Sequence, residues 1–595
     1  MASPALDAFF HWYYRHRPVN ATFIGVHDWD GRLPDYSDAG LDDAHAAMDT
    51  LAPRLRDRDG PETVASPAAA VELLDRDLAG DFLEIERWER ASPHGPRGNP
   101  CVYTGEAIFG VVALLLRPFA PQAVRLDAAV RRMAAIPAFL DQGRARVGCA
   151  PRAWTDRAIR ECAGAEALFE RGIEAFIADE DVAGHGVDPE RLRAAAAGAA
   201  AAFAQFRRHL ETQVRPAEPE AHACGEAALE LLMRRGHGVT LRAAEVRRLA
   251  EERAQAAEAA LRQRAAEAGF DDWRAALASL ADRHPAAGRY YARYQEVWDA
   301  ARRAAEEHRL VTWPDYPIRF VPRPRWAREA APSLYFLAYR APAAFDRVPV
   351  VDYLVAPVEP EMPADEQTRR LRAANDAAIA LTHVIHHGGL GHHVQNWFAY
   401  RAPSRIGRIA AVDCASRIAM LSGGTMAEGW ACYAVDLMEE IGFLSPAERC
   451  AQAHTRLRIA LRALVDVALH TGEWTLEQAA GIYASRGGMD AGAARAEAVK
   501  NSLFPATAMM YMLGVDGIHA LRREEAARRS GAFDLRDFHD RLLACGSIPV
   551  ARAATLLAGG ASLALGLRRE PEMPAGPEAA GGPAQDGAEE GTRTS

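Results

Sequence analysis

Five histidines fall within eleven residues, in the stretch His383-Val-Ile-His386-His387-Gly-Gly-Leu-Gly-His392-His393-Val-Gln395, and three glycines interrupt them. Imidazole is a ligand for zinc and other transition metals, so this density points to metal chemistry. On a regular helix His383 and His387, at i and i+4, lie on one face and could share an ion. His386 and His392 are six residues apart, which a straight helix puts on different faces. Gly388, Gly389 and Gly391 permit a bulge or loop that returns His392 to His386, so both pairings are open. Glu428, in Glu428-Gly-Trp430, is the best-placed third ligand. Two histidines and a carboxylate, with water in the fourth position, form a catalytic zinc pattern. The bland alternative is a solvated Gly/His-rich loop, with Glu428 only favouring a helix N-terminus.

The elements that must position these residues read as helices. The periodicity predicts a helix from Glu366 to Ile385 that runs into the cluster, and another from Met426 to Ile441 whose apolar side includes Trp430, Ala434 and Leu437. Further helices are expected through Arg17 and over Val64–Glu89, Ala107–Leu116, Leu126–Arg146 (kinked at Pro137), Ala153–Ile177 and Pro189–Val214. Leu241–Ala268 follows with Thr240 as N-cap, then Trp273–Leu310, Pro446–His470, Leu476–Arg486, Ala493–Arg523 and Leu535–Cys545. Pro18 to Asp35 reads as irregular. Between 311 and 358 prolines alternate with aromatics and short β-type runs (Trp313–Pro322, Leu334–Tyr339, Val348–Val355), which predict a small sheet beside the helical body. The expectation is one mostly α domain over 1–566, divisible into lobes 1–235 and 236–566, with a Pro/Gly/Ala/Glu tail at 567–595 that reads as disordered.

Composition narrows the function. The chain has 595 residues, 49% hydrophobic and 25% charged, with a formal net charge of −10. That balance belongs to a globular protein and argues against nucleic acid or an anionic membrane as the partner. No window reaches the ~18 apolar residues of a membrane span, and the start does not read as a signal peptide. Eight scattered cysteines without a Cys-x-x-Cys pair read as reduced thiols in a cytoplasmic protein. Lys500 is the sole lysine, hence the sole Schiff-base candidate. Arg462, Asp466 and His470 fall at successive i+4 positions: Arg462 could hold a substrate carboxylate and His470 could donate a proton, or the three could be a structural ladder. His539 reads as a capping or core histidine, and Trp12, Tyr13 and Tyr14 as core.

The chain resembles a bacterial family of helical, zinc-peptidase-like proteins known as domain of unknown function 885. The family motif His-Glu-x-x-Pro-Gly-His-His-x-Gln, followed by Glu-Gly-Trp-Ala, appears here as His386-His387-Gly-Gly-Leu390-Gly391-His392-His393-Val-Gln395 and Glu428-Gly-Trp-Ala431. Pro18–Asp35, Ile136–Leu140, Leu464–His470, Tyr511–Gly514, Phe538–Asp540 and Gly546–Pro549 match in order. The similarity spans roughly 10–560. It implies a large helical zincin-like metallopeptidase fold with a deep cleft, a small β-containing insert and a metal held by His386, His392 and Glu428. Tyr511 then becomes a candidate donor to a developing oxyanion. His393 and Gln395 become candidate substrate-binding residues, and Glu497 a support for a ligand histidine.

Two departures bear on the reaction. His387 replaces the glutamate that serves the family pattern as general base, and Thr507 replaces a glutamine two residues after Pro505. General-base assistance is worth about 10²–10⁴-fold in rate. Neutral His387 could take over that role, with Tyr511 and His470 assisting, or it could be an added ligand that recruits iron or another divalent transition metal instead of zinc. The expected functions are a hydrolase-like enzyme acting on a small peptide or amino-acid-derived amide, a non-hydrolytic enzyme of specialised metabolism on the same fold, or a peptide-binding pseudoenzyme. No feature of the sequence specifies an oligomeric state.

Overall fold

The computed structural model describes residues 3–57, 66–328, 343–346, 348, 350–411 and 416–558. Helices dominate, and the only sheets among the described residues are two parallel two-stranded pairs. Strand Ile318–Pro322 pairs with Val351–Val355, setting Phe320 opposite Tyr353. Cys149–Ala150 pairs with Arg215–Pro216. The run Leu334–Tyr339 and the tail lie outside the described residues. No described helix is long and apolar enough to cross a membrane.

Pro446–His470 is one helix as the periodicity predicts, opened by a capping box between Ser445 and Glu448. Gln122–Arg146 runs through Pro137 without ending. Several other expectations are corrected by local chemistry. Pro18–Ile24 is helical: Pro18 occupies the first turn, where its missing N–H costs nothing, and Gly25 closes the helix in the left-handed region at φ 94°. Trp273–Leu310 divides into Trp273–Leu280 and Tyr290–Glu307 around Pro285. Ala493–Arg523 divides into Ala491–Leu503 and Met510–Arg529 around Pro505. The N-cap of Ala243–Glu267 is Arg242, whose N–H donates to Glu245, and not Thr240. Asp38–Arg56, Glu226–Gly236 and Val550–Ala558 are helices that the pattern had not marked.

Three apolar cores support these elements. One joins Phe9, Tyr13 and Phe82 to Trp298, Trp430 and Phe538. A second lies mostly within residues 36–210, around Tyr103, Phe139 and Phe203. The third joins Trp154 and Leu232 to Leu461 and Met512. The first and third draw on both sides of residue 235. Trp12 and Tyr13 belong to the first core, and His539, wholly buried, donates from Nδ1 to Leu310 O and bonds through Nε2 to Tyr433 Oη inside it.

Candidate metal centre

The predicted helix Glu366–Ile385 is two elements. Ala364–Ala373 is α-helical and stops at Ala374 and Asn375; Ala378–Gly388 then winds as a π-helix, started by Asn375, whose side chain accepts from the Ala378 N–H. Eleven residues of π-helix is unusually long, and such windings concentrate at functional sites. At its end the chain doubles back. The Gly391 N–H donates to Ile385 O, and a Cβ on Gly391 would lie 1.9 Å from the His386 carbonyl oxygen. Only glycine permits that approach. The carbonyls freed there are met by tryptophans: Trp298 Nε1 donates to Gly388 O and Trp430 Nε1 to Leu390 O, each at 2.8 Å.

This reversal brings His392 beside His386, ring centroids 5.0 Å apart. The Glu428 carboxylate meets both: its Oε2 lies 3.3 Å from His386 Nε2 and 3.5 Å from His392 Nε2. Tetrahedral ligands at ~2.0–2.1 Å from one zinc ion stand ~3.3–3.4 Å apart, so these separations match a shared ion. Oε2 is buried, and at these separations neither imidazole makes a well-formed hydrogen bond to it, which leaves room for an ion among the three groups. Burial disfavours the charged carboxylate, but His392 and His386 outweigh it and hold Glu428 well below the usual carboxylate range. The residues present therefore fit a divalent cation.

His387 is part of the same cluster. Its ring stacks on His392 at 5.6 Å, and ligand nitrogens of His386, His387 and His392 lie within 4.8 Å of one another. Burial, reinforced by the neighbouring histidines, keeps His387 far below the ordinary imidazole range and hence neutral. The alternative pairing of His383 with His387 is realised through a third residue. The Tyr353 hydroxyl sits 2.8 Å from His383 Nδ1 and 3.1 Å from His387 Nδ1. One O–H can donate to only one of them, so it accepts from the other. Tyr353 was not identified in the sequence. A β-type run carries it, but only the strand pairing shows that it faces the histidines.

Glu428 lies in the helix Gly424–Glu440 and Tyr511 in Met510–Arg529. These helices cross at Gly429 and Gly514: a Cβ on Gly429 would lie 2.5 Å from the Gly514 carbonyl carbon. The contact sets the first turn of the Tyr511 helix alongside the turn that presents Glu428. The Arg462 guanidinium lies over the Tyr511 ring at 5.2 Å.

The remaining candidate residues have partners in the scaffold. His393 is buried, stacks on Tyr316 and bonds to Tyr316 O at 2.8 Å. Gln395 is buried and donates to the Ser547 hydroxyl, so each of the two makes a contact to the scaffold. His470 is wholly buried against His94 and bonds to Asn501 O, apart from Arg462. Asp466 accepts from the Ala506 and Met509 N–H groups and so pins the 504–509 turn before Tyr511, where Ala506 sits at φ 63°. Arg462 Nε donates to Glu497 at 2.7 Å; Glu497 thus supports Arg462 and not a ligand histidine. Burial lowers the Lys500 ammonium's pKa against the pull of Glu497, and its charge feels both Glu428 and Arg157.

Solved structures share the whole architecture. A protein of Shewanella oneidensis, described as a putative lipoprotein of unknown function, superposes with TM-score 0.71 at 20% identity, covering 93% of this chain and 99% of its own. A putative lipoprotein from Colwellia psychrerythraea gives TM-score 0.65 at 17% identity, covering 94% and 98%. No curated protein matches the chain. The family model described as a bacterial protein of unknown function, DUF885, matches residues 18–556, and the chain belongs to that family.

Proposed function

We propose that the protein is a metal-dependent, hydrolase-like enzyme acting on a small peptide or amide, on a zincin-like helical fold whose cleft contains His386, His392 and Glu428. The convergence of two imidazole nitrogens on the orphaned Glu428 Oε2 at 3.3 and 3.5 Å carries this reading. A zinc ion bound there supplies Lewis acidity, polarising a carbonyl and acidifying water. The chain's own residues do the rest. With His387 Nδ1–H donating to Tyr353 and the Tyr353 hydroxyl donating to His383, His387 Nε2 keeps a lone pair toward the centre and accepts the proton lost by attacking water. Tyr511, steadied by Arg462, donates to the oxygen on which charge develops.

A second reading has its own observation. The three-histidine group that includes His387 suits four-donor coordination, which closes the position needed by water and favours iron or another transition metal in a non-hydrolytic reaction. Metal analysis of the purified chain comes first, and absence of stoichiometric metal refutes both readings. With metal present, a small-peptide assay separates them. Parent activity abolished in His387→Ala supports His387 as the base. Activity absent in the parent and created in His387→Glu shows that the natural reaction is not hydrolysis. Free thiols at all seven described cysteines are consistent with a cytoplasmic location, which cell fractionation tests against the lipoprotein description of the two solved structures.

A further inference from the structure

A cavity whose lining includes none of His386, His387, His392 or Glu428 opens among charged and apolar side chains. It encloses about 890 Å³ including its mouth, and Arg17, Arg157, Arg417, Glu89, Glu106 and Glu161 supply its charges. Most of these are spent on one another. Arg17 is forked onto Glu86 and reaches Glu89, and Arg157 Nε donates to Glu161. Two groups are not fully used. Arg417, only 7% exposed, donates from Nε to Glu89 and lies over the Phe504 ring at 5.0 Å; its Nη1 and Nη2 atoms make no hydrogen bond among the described residues. Glu106 approaches Arg17 at 3.7 Å through Oε1, and its Oε2 is buried with no hydrogen-bond partner.

An open guanidinium edge and an orphaned carboxylate oxygen in one cavity are complementary to a carboxylate and an ammonium on one small molecule. Burial of the unpaired Glu106 Oε2 is unfavourable, so a ligand ammonium that satisfies it relieves the site, while the Arg417 Nη edge offers donors to the carboxylate. The remaining wall is apolar, from Val19, Phe23, Phe109 and Phe504. We propose that this cavity is a binding site for a zwitterionic α-amino acid with an apolar side chain, its carboxylate on Arg417 and its ammonium on Glu106. The assignment rests on the cavity alone and holds whatever reaction the metal centre performs.

Calorimetric titration of the full-length, metal-loaded chain at pH 7.5 tests it with L-phenylalanine, N-acetyl-L-phenylalanine and L-phenylalaninamide. The expected result is binding of L-phenylalanine, with each blocked derivative at least tenfold weaker. Glu106→Gln, which keeps the shape of the side chain, should weaken L-phenylalanine about tenfold while unliganded Tm and metal content stay at parent values. No binding, equal binding of the three ligands, or parent-like affinity in Glu106→Gln overturns the proposal. Should that variant fail to fold, the three ligands on the parent chain decide alone. Metal content, measured on the same sample, reports separately on the metal centre.

Discussion

Gly514 packs directly on Gly429: a Cβ at 514 would lie 2.8 Å from Gly429 Cα and 2.1 Å from the Thr425 carbonyl oxygen. The helices that carry Glu428 and Tyr511 therefore owe their close crossing to two missing side chains. Gly514→Ala must push the helices apart, and overpacking of this kind costs about 1–3 kcal/mol. The expected outcome is that loss in denaturant unfolding together with weakened metal retention. A variant with parent stability and parent metal content would show that the crossing does not position Glu428.

Tyr353 ties His387 to His383 by its hydroxyl. Partners that orient metal-site histidines are typically worth about 10–100-fold in metal affinity or activity. Tyr353→Phe should lose that much while the fold survives, measured by competition with a zinc chelator and by turnover. Unchanged values for both would make the Tyr353 contact incidental.

Glu428 Oε2 is the point shared by His386 and His392. Glu428→Gln keeps the shape and removes the charge, so metal affinity should fall further than in Tyr353→Phe. Equal or higher affinity would move the ion to the three histidines alone.

Acid should destabilise the chain from about pH 6.5 downward, near the ordinary pKa of histidine. Burial, opposed by the bond to Leu310 O and helped by Arg522, pushes His539 down to about 3; burial together with Arg417 pushes His94 to about 3. Between those folded values and about 6.5 the unfolded chain binds protons that the folded one refuses, so stability is full above 6.5 and falls with pH. Each such histidine contributes a slope of about 1.4 kcal/mol per pH unit. Glu86 adds a lower window. Its burial is outweighed by Arg17 and Arg90, which hold it at about 2, so its contribution is present above the ordinary glutamate range and is lost as pH falls toward 2. Denaturant unfolding across pH 3–8 checks this, and a flat profile from 6.5 to 4 would contradict it.

Local rules carried the reading where a segment's conformation was set within itself. Ser445 and Glu448 announce Pro446–His470, and the glycines after His387 announce a chain reversal. They failed where tertiary contacts decide. Pro505 breaks one expected helix because Asp466, forty residues earlier, receives the freed N–H groups of Ala506 and Met509. His393, Gln395 and His470 carry chemistry-bearing side chains, yet Tyr316, Ser547 and Asn501 absorb them.

By itself the sequence determined that the chain is helical, that His386, His392 and Glu428 are the ligand types gathered around a glycine-rich reversal, and that His387 stands where a glutamate is expected. Helicity and the clustering of ligand types follow from residue type and short-range spacing, which left the His383/His387 pairing open as well; the choice of His386, His392 and Glu428 and the place of His387 follow from the family resemblance. Only the tertiary structure decided that Glu428 Oε2 lies within 3.5 Å of both histidine nitrogens, that Tyr353 holds His387, and that Arg417 and Glu106 face one cavity. Those relationships join residues far apart in the chain, and the packing of separate elements sets their distances.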